Sequence, residues 1–427
     1  MSGPHIFLQH DFYIMKTNNP KKSLVIFMAS PYKNPAMVAL IDPLRPPPTS
    51  SALNKGRTRL APPLRAALIL LLGQFLVQCY PVAASRGGTM GLASPFDVAA
   101  IRAARGVPDD LPFKCKAPPS AVEDLKFTSI YEKDDASHST VDPELEEKYR
   151  KAMRPLSKFE TTLAKMANRY VASSPARPDV AACALEWLDF WARDEALLGR
   201  VNRVGEFVRK WSLASIASAW LQIRDEPALE PDRRARVERW IEQVAQAVVA
   251  DYTRNPDSRS RRNNHMIWAA WSVAAAGVAL DDRALFDWAM ERATNAVDEI
   301  VADGTMPLEM DRKSRALLYH TFAAAPLVML AETGAVNGRN LYGARFGIIH
   351  KFVARTLDGL QDPSWFEQVT GVRQVVAEST TPEKIAWLPV YESRFGTRAG
   401  AFANPTTEPL FLRRTGGDMA LLFGPVR

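Results

Sequence analysis

Two stretches carry side chains that could act together on a sugar. The first reads Asn263-Asn264-His265-Met266-Ile267-Trp268-Ala269-Ala270-Trp271-Ser272. It sets amides, an imidazole and two indoles at the start of a helical pattern. Asn264 and Trp268 stand four apart and His265 and Trp268 three apart, which places them on one helix face. Polar donors beside flat aromatic rings suit a saccharide. The same residues also read as an Asn N-cap followed by a buried aromatic stripe. The second stretch, Leu308 to His320, reads Leu-Glu-Met-Asp-Arg-Lys-Ser-Arg-Ala-Leu-Leu-Tyr-His. Arg312 and Tyr319 are seven apart, two turns on one face, with Arg315 between them. A guanidinium near a phenol favours the phenolate and lowers its pKa. Taken alone, this helix also reads as a surface arginine and a core tyrosine.

These residues need a scaffold, and the pattern is helical almost throughout. From Pro143 onward, apolar residues recur at helical spacing over 143–173, 179–198, 203–224, 230–254, 264–281, 283–301, 312–333, 340–360 and 383–395. The breaks are short and carry Pro, Asp and Gly, so neighbouring helices should run antiparallel. Strand-like text is confined to Leu410–Arg413 and Met419–Phe423. The expected fold is all-α, built from nested helical hairpins over 143–427. Residues 85–142 read as an extended N-terminal segment ending in a polar loop, Tyr131 to Asp142, suited to a mobile lid.

The chain has 427 residues, of which 47% are hydrophobic, enough for a large core. Its net charge of +7 is deceptive, because residues 1–84 hold nine Lys/Arg against two Asp/Glu and the rest is neutral. Generic nucleic-acid binding therefore loses its support. The basic segment precedes an apolar run from Ala66 to Gln78 and the small-residue pattern Val82-Ala83-Ala84-Ser85, which read together as a secretory signal peptide. The first fifty or so residues are unlike a signal n-region, and translation is expected to begin further along. No later run of roughly 18 apolar residues appears, so no membrane anchor is expected. Removing the leader leaves Cys115 and Cys183, which in an exported protein read as one disulfide. No Cys/His cluster has zinc spacing, and neither a phosphate-binding glycine loop nor a Gly-x-Ser-x-Gly elbow is present.

Together, Asn-Asn-His-x-x-Trp-Ala-Ala-Trp-Ser and Arg-x-x-Arg-Ala-Leu-x-Tyr-His closely resemble the bacterial periplasmic alginate lyases, poly(β-D-mannuronate) lyases of the all-α toroid type. Supporting pieces follow in the same order: Phe127-Thr128-Ser129 with Tyr131-Glu132, Ala182-Cys183-Ala184-Leu185 with Trp187, Arg209-Lys210-Trp211, Leu285 to Ala289, and Ala386-Trp387-Leu388 with Tyr391. The resemblance covers roughly residues 112–395. It implies an incomplete α/α toroid with a deep groove, acting as a monomer on an anionic polysaccharide by β-elimination, without a metal or other cofactor. Carried over by position, Asn264 and His265 match the groups that neutralise the uronate carboxylate. Arg312 matches the catalytic arginine and Tyr319 the tyrosine that serves as base and then acid. Trp211, Trp268, Arg315, Tyr131, Arg209 and Lys210 are the expected substrate contacts.

Two positions depart from the family pattern. Ile130 stands where a lysine is common and His138 where an arginine is usual, and both changes remove positive charge from the lid. His138 is expected to regain a charge in mild acid. Three rival readings stay open. One is a lyase for another uronate such as glucuronan. Another is a toroid glycoside hydrolase, for which Glu309 and Asp311 are the nearest carboxylates. The last is a binding protein that has lost catalysis.

Overall fold

The computed structural model describes residues 91–396 and 408–424, together with a short antiparallel pair, β1 (Phe12–Tyr13) with β2 (Phe27–Met28). The chain divides into two units, Met1–Arg86 and Gly87–Arg427. The proposed leader run and its cleavage site lie outside the described residues.

Within the second unit, a short helix α1 (Val98–Arg105) interrupts the N-terminal segment that the sequence presents as extended. The helical domain then runs α2 (Pro143–Ala172), α3 (Pro178–Arg193), α4 (Arg203–Ile223), α5 (Pro231–Thr253), α6 (Asn264–Leu280) and α7 (Arg283–Asp298). A one-turn helix α8 (Pro307–Met310) leads to α9 (Ala316–Val336) and α10 (Ile348–Gln361). Shorter helices follow: α11 (Ser364–Thr370), α12 (Val376–Ser379), α13 (Pro382–Ile385) and α14 (Leu388–Phe395). The starts are chemically marked. Pro143, Pro178, Pro231 and Pro307 occupy first-turn positions, and Asp142, Asn202, Glu230, Asn263 and Asp282 accept backbone N–H bonds as side-chain caps.

The helices form two layers. In the inner layer α2 packs on α4, α4 on α6 and α6 on α9. In the outer layer α3, α5, α7 and α10 back them in the same order. Composition sorts the layers. α4, α6 and α9 are buried on nearly every side and carry few charges, whereas α5 and α7 keep one wet, charged face. The stretch Lys313–Val336 is long and apolar enough to cross a membrane, but 89% of its apolar window is buried in the protein, so it is a core helix. This is the incomplete α/α toroid.

Several boundaries differ from the sequence reading. α3 ends at Arg193 because Glu195 and Leu197 take left-handed backbone. The expected helix from 340 begins only at Ile348. Arg345, Phe346 and Gly347 are all left-handed, and Arg345 Nη1 donates to the carbonyls of Val297, Asp298 and Ile300 at the end of α7. The last predicted helix is split at Ala386-Trp387. Met419–Phe423 is a helix, α15, where a strand was expected. Asp418 caps it through Ala420 N and Leu421 N. The strand text before it is real but brief, with β3 (Phe411–Leu412) antiparallel to β4 (Gly417–Asp418).

The chain ends are sewn onto the inner helices. Asn168 Nδ2 and Gln222 Nε2 each donate to Gly416 O at 2.8 Å, and Asp418 N donates to Asn168 Oδ1 at 2.7 Å. A Cβ at Gly417 would stand 2.2 Å from Asn168 Oδ1, with φ at +113°, so only glycine fits this approach. Cys115 and Cys183 form a disulfide with Cα atoms 5.6 Å apart, and Asp109 pairs with Arg169 at 2.6 Å. Both tie the N-terminal segment to α2 and α3.

Candidate active site

The loop joining the N-terminal segment to α2 closes over the inner helices. Burial pushes the Asp135 carboxyl up, but hydrogen bonds from Ser137, Thr140 and Ser139 outweigh it and hold the group well below the ordinary carboxylate range. That carboxylate shapes the loop. Tyr131 pairs with Val141 across its base. Beneath it lies a cavity of about 440 Å³. Ile130, Tyr131 and His138 come from the loop, Arg203, Phe207 and Trp211 from α4, and His265 from α6. Tyr319 comes from the first turn of α9 and Arg312 from the turn before it, Arg259 from the turn before α6 and Arg414 from the C-terminal segment. Among the described residues, four arginines thus face this space, and no Asp or Glu lines it.

Tyr319 sits at the centre. Its hydroxyl hydrogen-bonds that of Tyr131, and the Arg312 guanidinium carbon lies 4.4 Å from its ring centroid. The two-turn helical spacing is not how they meet. Arg312 precedes the helix, in a turn where Lys313 is left-handed (φ +51°), followed by a 3-10 turn over Lys313–Arg315. The expected lowering of the phenol pKa does not win. Burial holds Tyr319 well above 10, Tyr131 adds to that, and Arg312 opposes it without overcoming it. Tyr319 therefore rests as a neutral phenol.

His265 stacks on Phe207, with centroids 3.8 Å apart and planes 13° apart. Burial, then the charges of Lys210, Arg312, Arg203 and Arg261, hold its pKa well below 6.5. It is a neutral imidazole, able to donate or accept a hydrogen bond but carrying no charge. Asn264 does not reach the cavity. It is fully buried, and its backbone N and Nδ2 donate to Glu309 Oε1 at 2.7 and 2.9 Å. The helix begins one residue too early for its side chain to point inward, and Asn263 lines the cavity instead. Glu309 is also fully buried, with Oε2 3.7 Å from Arg312 Nε. It holds two site residues rather than facing a ligand. Asp311 is exposed and pairs with Arg259 at 3.1 Å. The two opposed carboxylates of a hydrolase are therefore missing from this cavity.

Among the expected substrate contacts, Trp211 and Tyr131 line the cavity and four residues do not. Trp268 is fully buried beneath Phe322. Arg209 is buried in an ion pair with Asp251 at 2.7 Å. Lys210 is fully buried behind His265. Arg315 turns away and pairs with Glu378. His138 is in place, but burial and then Arg312 push its pKa below 6.5, which works against the expected gain of charge in mild acid. The sequence reading missed Arg203, Phe207, Arg259 and Arg414. Arg203, Phe207 and Trp211 recur every four residues along α4, a signal that could have marked one face. Arg414 has no such signal, because only the C-terminal segment's return across α4 delivers it. Among the described residues, no three His, Cys, Asp or Glu side chains converge as metal ligands.

Comparison with known proteins places this arrangement in context. Residues 126–366 match the family model for alginate lyase. A polysaccharide lyase of Stenotrophomonas maltophilia is 36% identical over 313 residues, 72% of this chain and 90% of that protein. An alginate lyase of Azotobacter vinelandii is 35% identical over 71% of this chain and 82% of its own length. Among solved structures, a histidine-to-alanine variant of alginate lyase A1-III complexed with tetrasaccharide aligns with a TM-score of 0.69 at 27% identity, over 79% of this chain and 98% of that one. A tyrosine-to-phenylalanine variant with tetrasaccharide also gives 0.69, at 28% identity and the same coverage.

Proposed function

The chain belongs to the alginate lyase family, and on that premise we propose that it is a poly(β-D-mannuronate) lyase in which Tyr319 is both base and acid. The observation that carries this reading is the cavity itself. Among the described residues, a tyrosine hydroxyl, a neutral imidazole and four arginines share it without a single carboxylate, a lining suited to a polyanion and to a carboxylate that gains charge.

The chemistry follows from the substrate. The C5 hydrogen of a uronate lies alpha to a carboxylate and is very weakly acidic. Taking it off builds negative charge on the carboxylate, which Arg312 and His265 offset from the cavity wall. Asn264, held by Glu309, anchors the start of α6 that carries His265. In mannuronate, H5 and O4 lie on the same face of the ring. Tyr319 first gives up its resting proton to solvent, and the small phenolate fraction so formed takes H5. The C4–O4 bond then breaks, a C4–C5 double bond forms, and the Tyr319 hydroxyl returns its proton to O4. Trp211, with Arg414 4.4 Å from its ring, supplies a flat face for a neighbouring sugar. We further propose that the protein is exported to the periplasm, a reading supported by the apolar run before Ser85 and by the disulfide.

Purified protein incubated with polymannuronate and with polyguluronate tests the reading. Unsaturated, ultraviolet-absorbing ends should accumulate with polymannuronate. Reducing ends without absorbance would mean hydrolysis, and preferential cutting of polyguluronate would overturn the epimer assignment.

A further inference from the structure

Lys210 carries an amine that the cavity chemistry does not use and the core should not want. It lies fully buried on α4. Its Nζ is 3.2 Å from His265 Nδ1 and donates to Phe207 O at 3.4 Å. Three rings surround it, with Nζ 4.6 Å from the centroid of Phe207, 4.3 Å from Trp211 and 5.3 Å from Tyr252. We propose that Lys210 is a positioning residue whose ammonium, by donating to His265 Nδ1, fixes the imidazole in its Nε2–H form so that the ring offers a donor to the substrate carboxylate.

The argument is one of donors and acceptors. An ammonium has three N–H donors and no acceptor. The nitrogen facing it must therefore be bare, and the single proton of a neutral imidazole must sit on Nε2. The opposite form would turn a lone pair toward a carboxylate and repel it. Stacking on Phe207 keeps the ring from turning to exchange its nitrogens. Burial first, and then its charged neighbours Lys210, Arg312, Arg203 and Arg261, all cationic, disfavour a charge on His265, so the ring stays neutral. Burial, and then Arg414 and Arg261, pull the Lys210 pKa well below its ordinary 10.5, opposed by Glu206 and Asp251, which favour its charge. The three ring faces favour it as well. A neutral amine would accept from Nδ1–H and reverse the assignment, which makes the proton's place on His265 the deciding fact.

The inference rests on the lyase reading for its purpose, but its test does not. Nitrogen-15 histidine labelling of the whole protein, with His265 assigned by its loss in His265→Gln, reports the protonated nitrogen directly. We expect a bare Nδ1 and a protonated Nε2. In Lys210→Met the nearest cation is gone, so the His265 titration should move to higher pH. The kcat should fall about 10- to 100-fold, as for other partners that orient a catalytic group, with a smaller change in KM. A space-filling role would leave the titration unmoved. Protonated Nδ1 or a mixture of forms in the wild type overturns the proposal, and so does an unchanged titration in Lys210→Met. If Lys210→Met does not fold, the wild-type spectrum still decides. Failure of the wild type to cut any uronate polymer would strike the lyase reading alone.

Discussion

Replacing Arg312 with methionine should displace the pH profile as well as lower the rate. The guanidinium carbon is 4.4 Å from the Tyr319 ring centroid, and the phenolic oxygen lies at the rim of that ring. Two unit charges ~6 Å apart in an effective dielectric of ~20 interact by ~3 kcal/mol, which is about two pK units. Tyr319 already titrates well above 10 because burial dominates, and Arg312 is the cation opposing that rise. Without it the phenolate fraction at a given pH drops about 100-fold, and the rising limb of kcat/KM moves ~2 units alkaline. Loss of a cation at the substrate carboxylate adds a pH-independent fall of ~10²-fold. Initial rates of unsaturated-product formation across pH separate the two effects. A profile scaled down but not displaced would refute the coupling of Arg312 to Tyr319. Stability gives a second reading. Burial holds the Glu309 carboxyl above its ordinary 4.5, with Arg312 the first group opposing this. A raised carboxyl costs stability as pH climbs through its folded pKa, and Arg312→Met raises it further. The variant should unfold near the wild-type temperature in acid and well below it at neutral pH, because an unpaired buried carboxylate costs ~3–5 kcal/mol. Adding Glu309→Gln should restore the stability and leave the activity low.

Three further outcomes follow from the same geometry. Ile130→Lys adds a cation to the cavity wall, so KM should fall at low salt and less at high salt, with kcat changed little; an unchanged KM at both ionic strengths would show that the lid does not hold the polymer. Trp211→Ala should raise KM with little loss of stability, whereas Trp268→Ala should cost ~3–5 kcal/mol on thermal unfolding, and equal behaviour of the two would undo the assignment of one to the cavity and the other to the core. Removing the Cys115–Cys183 bond by Cys→Ser at both positions opens a loop of 68 residues, so stability should fall by ~4 kcal/mol in denaturant titration, and no change would show that other contacts anchor the segment.

Much of the fold was legible because its signals are local. Helical periodicity and the short breaks placed the starts of α2 to α7 within a residue, and their ends within a residue except in α3 and α7. Errors gathered where backbone conformation overrides composition, as at left-handed Glu195, Arg345 and Lys313, none of which is glycine. The site was legible as far as rare residues recur at fixed spacing, which brought out His265, Arg312, Tyr319 and Tyr131. It was misread where adjacency on the chain differs from direction in space. Arg209, Lys210 and Trp211 are consecutive, yet helix rotation sends Arg209 to an ion pair, Lys210 behind His265 and only Trp211 into the cavity. Asn264 and Asn263 exchange places for the same reason. Burial, which a sequence does not report, reversed the expected pKa direction of Tyr319 and lowered His138 from the reference value assumed for it.

The central claim is that one tyrosine carries the proton in both directions. Tyr319→Phe keeps the ring and the Arg312 contact and removes only the hydroxyl. Measured side by side, binding of a mannuronate oligosaccharide by calorimetry and formation of unsaturated ends from polymannuronate should separate cleanly. The dissociation constant should stay within about fivefold of the wild type, since one neutral hydrogen bond is worth only ~1 kcal/mol, while turnover falls by ~10⁴-fold, the upper range for general acid–base groups. Near-normal turnover by Tyr319→Phe would contradict the assignment outright.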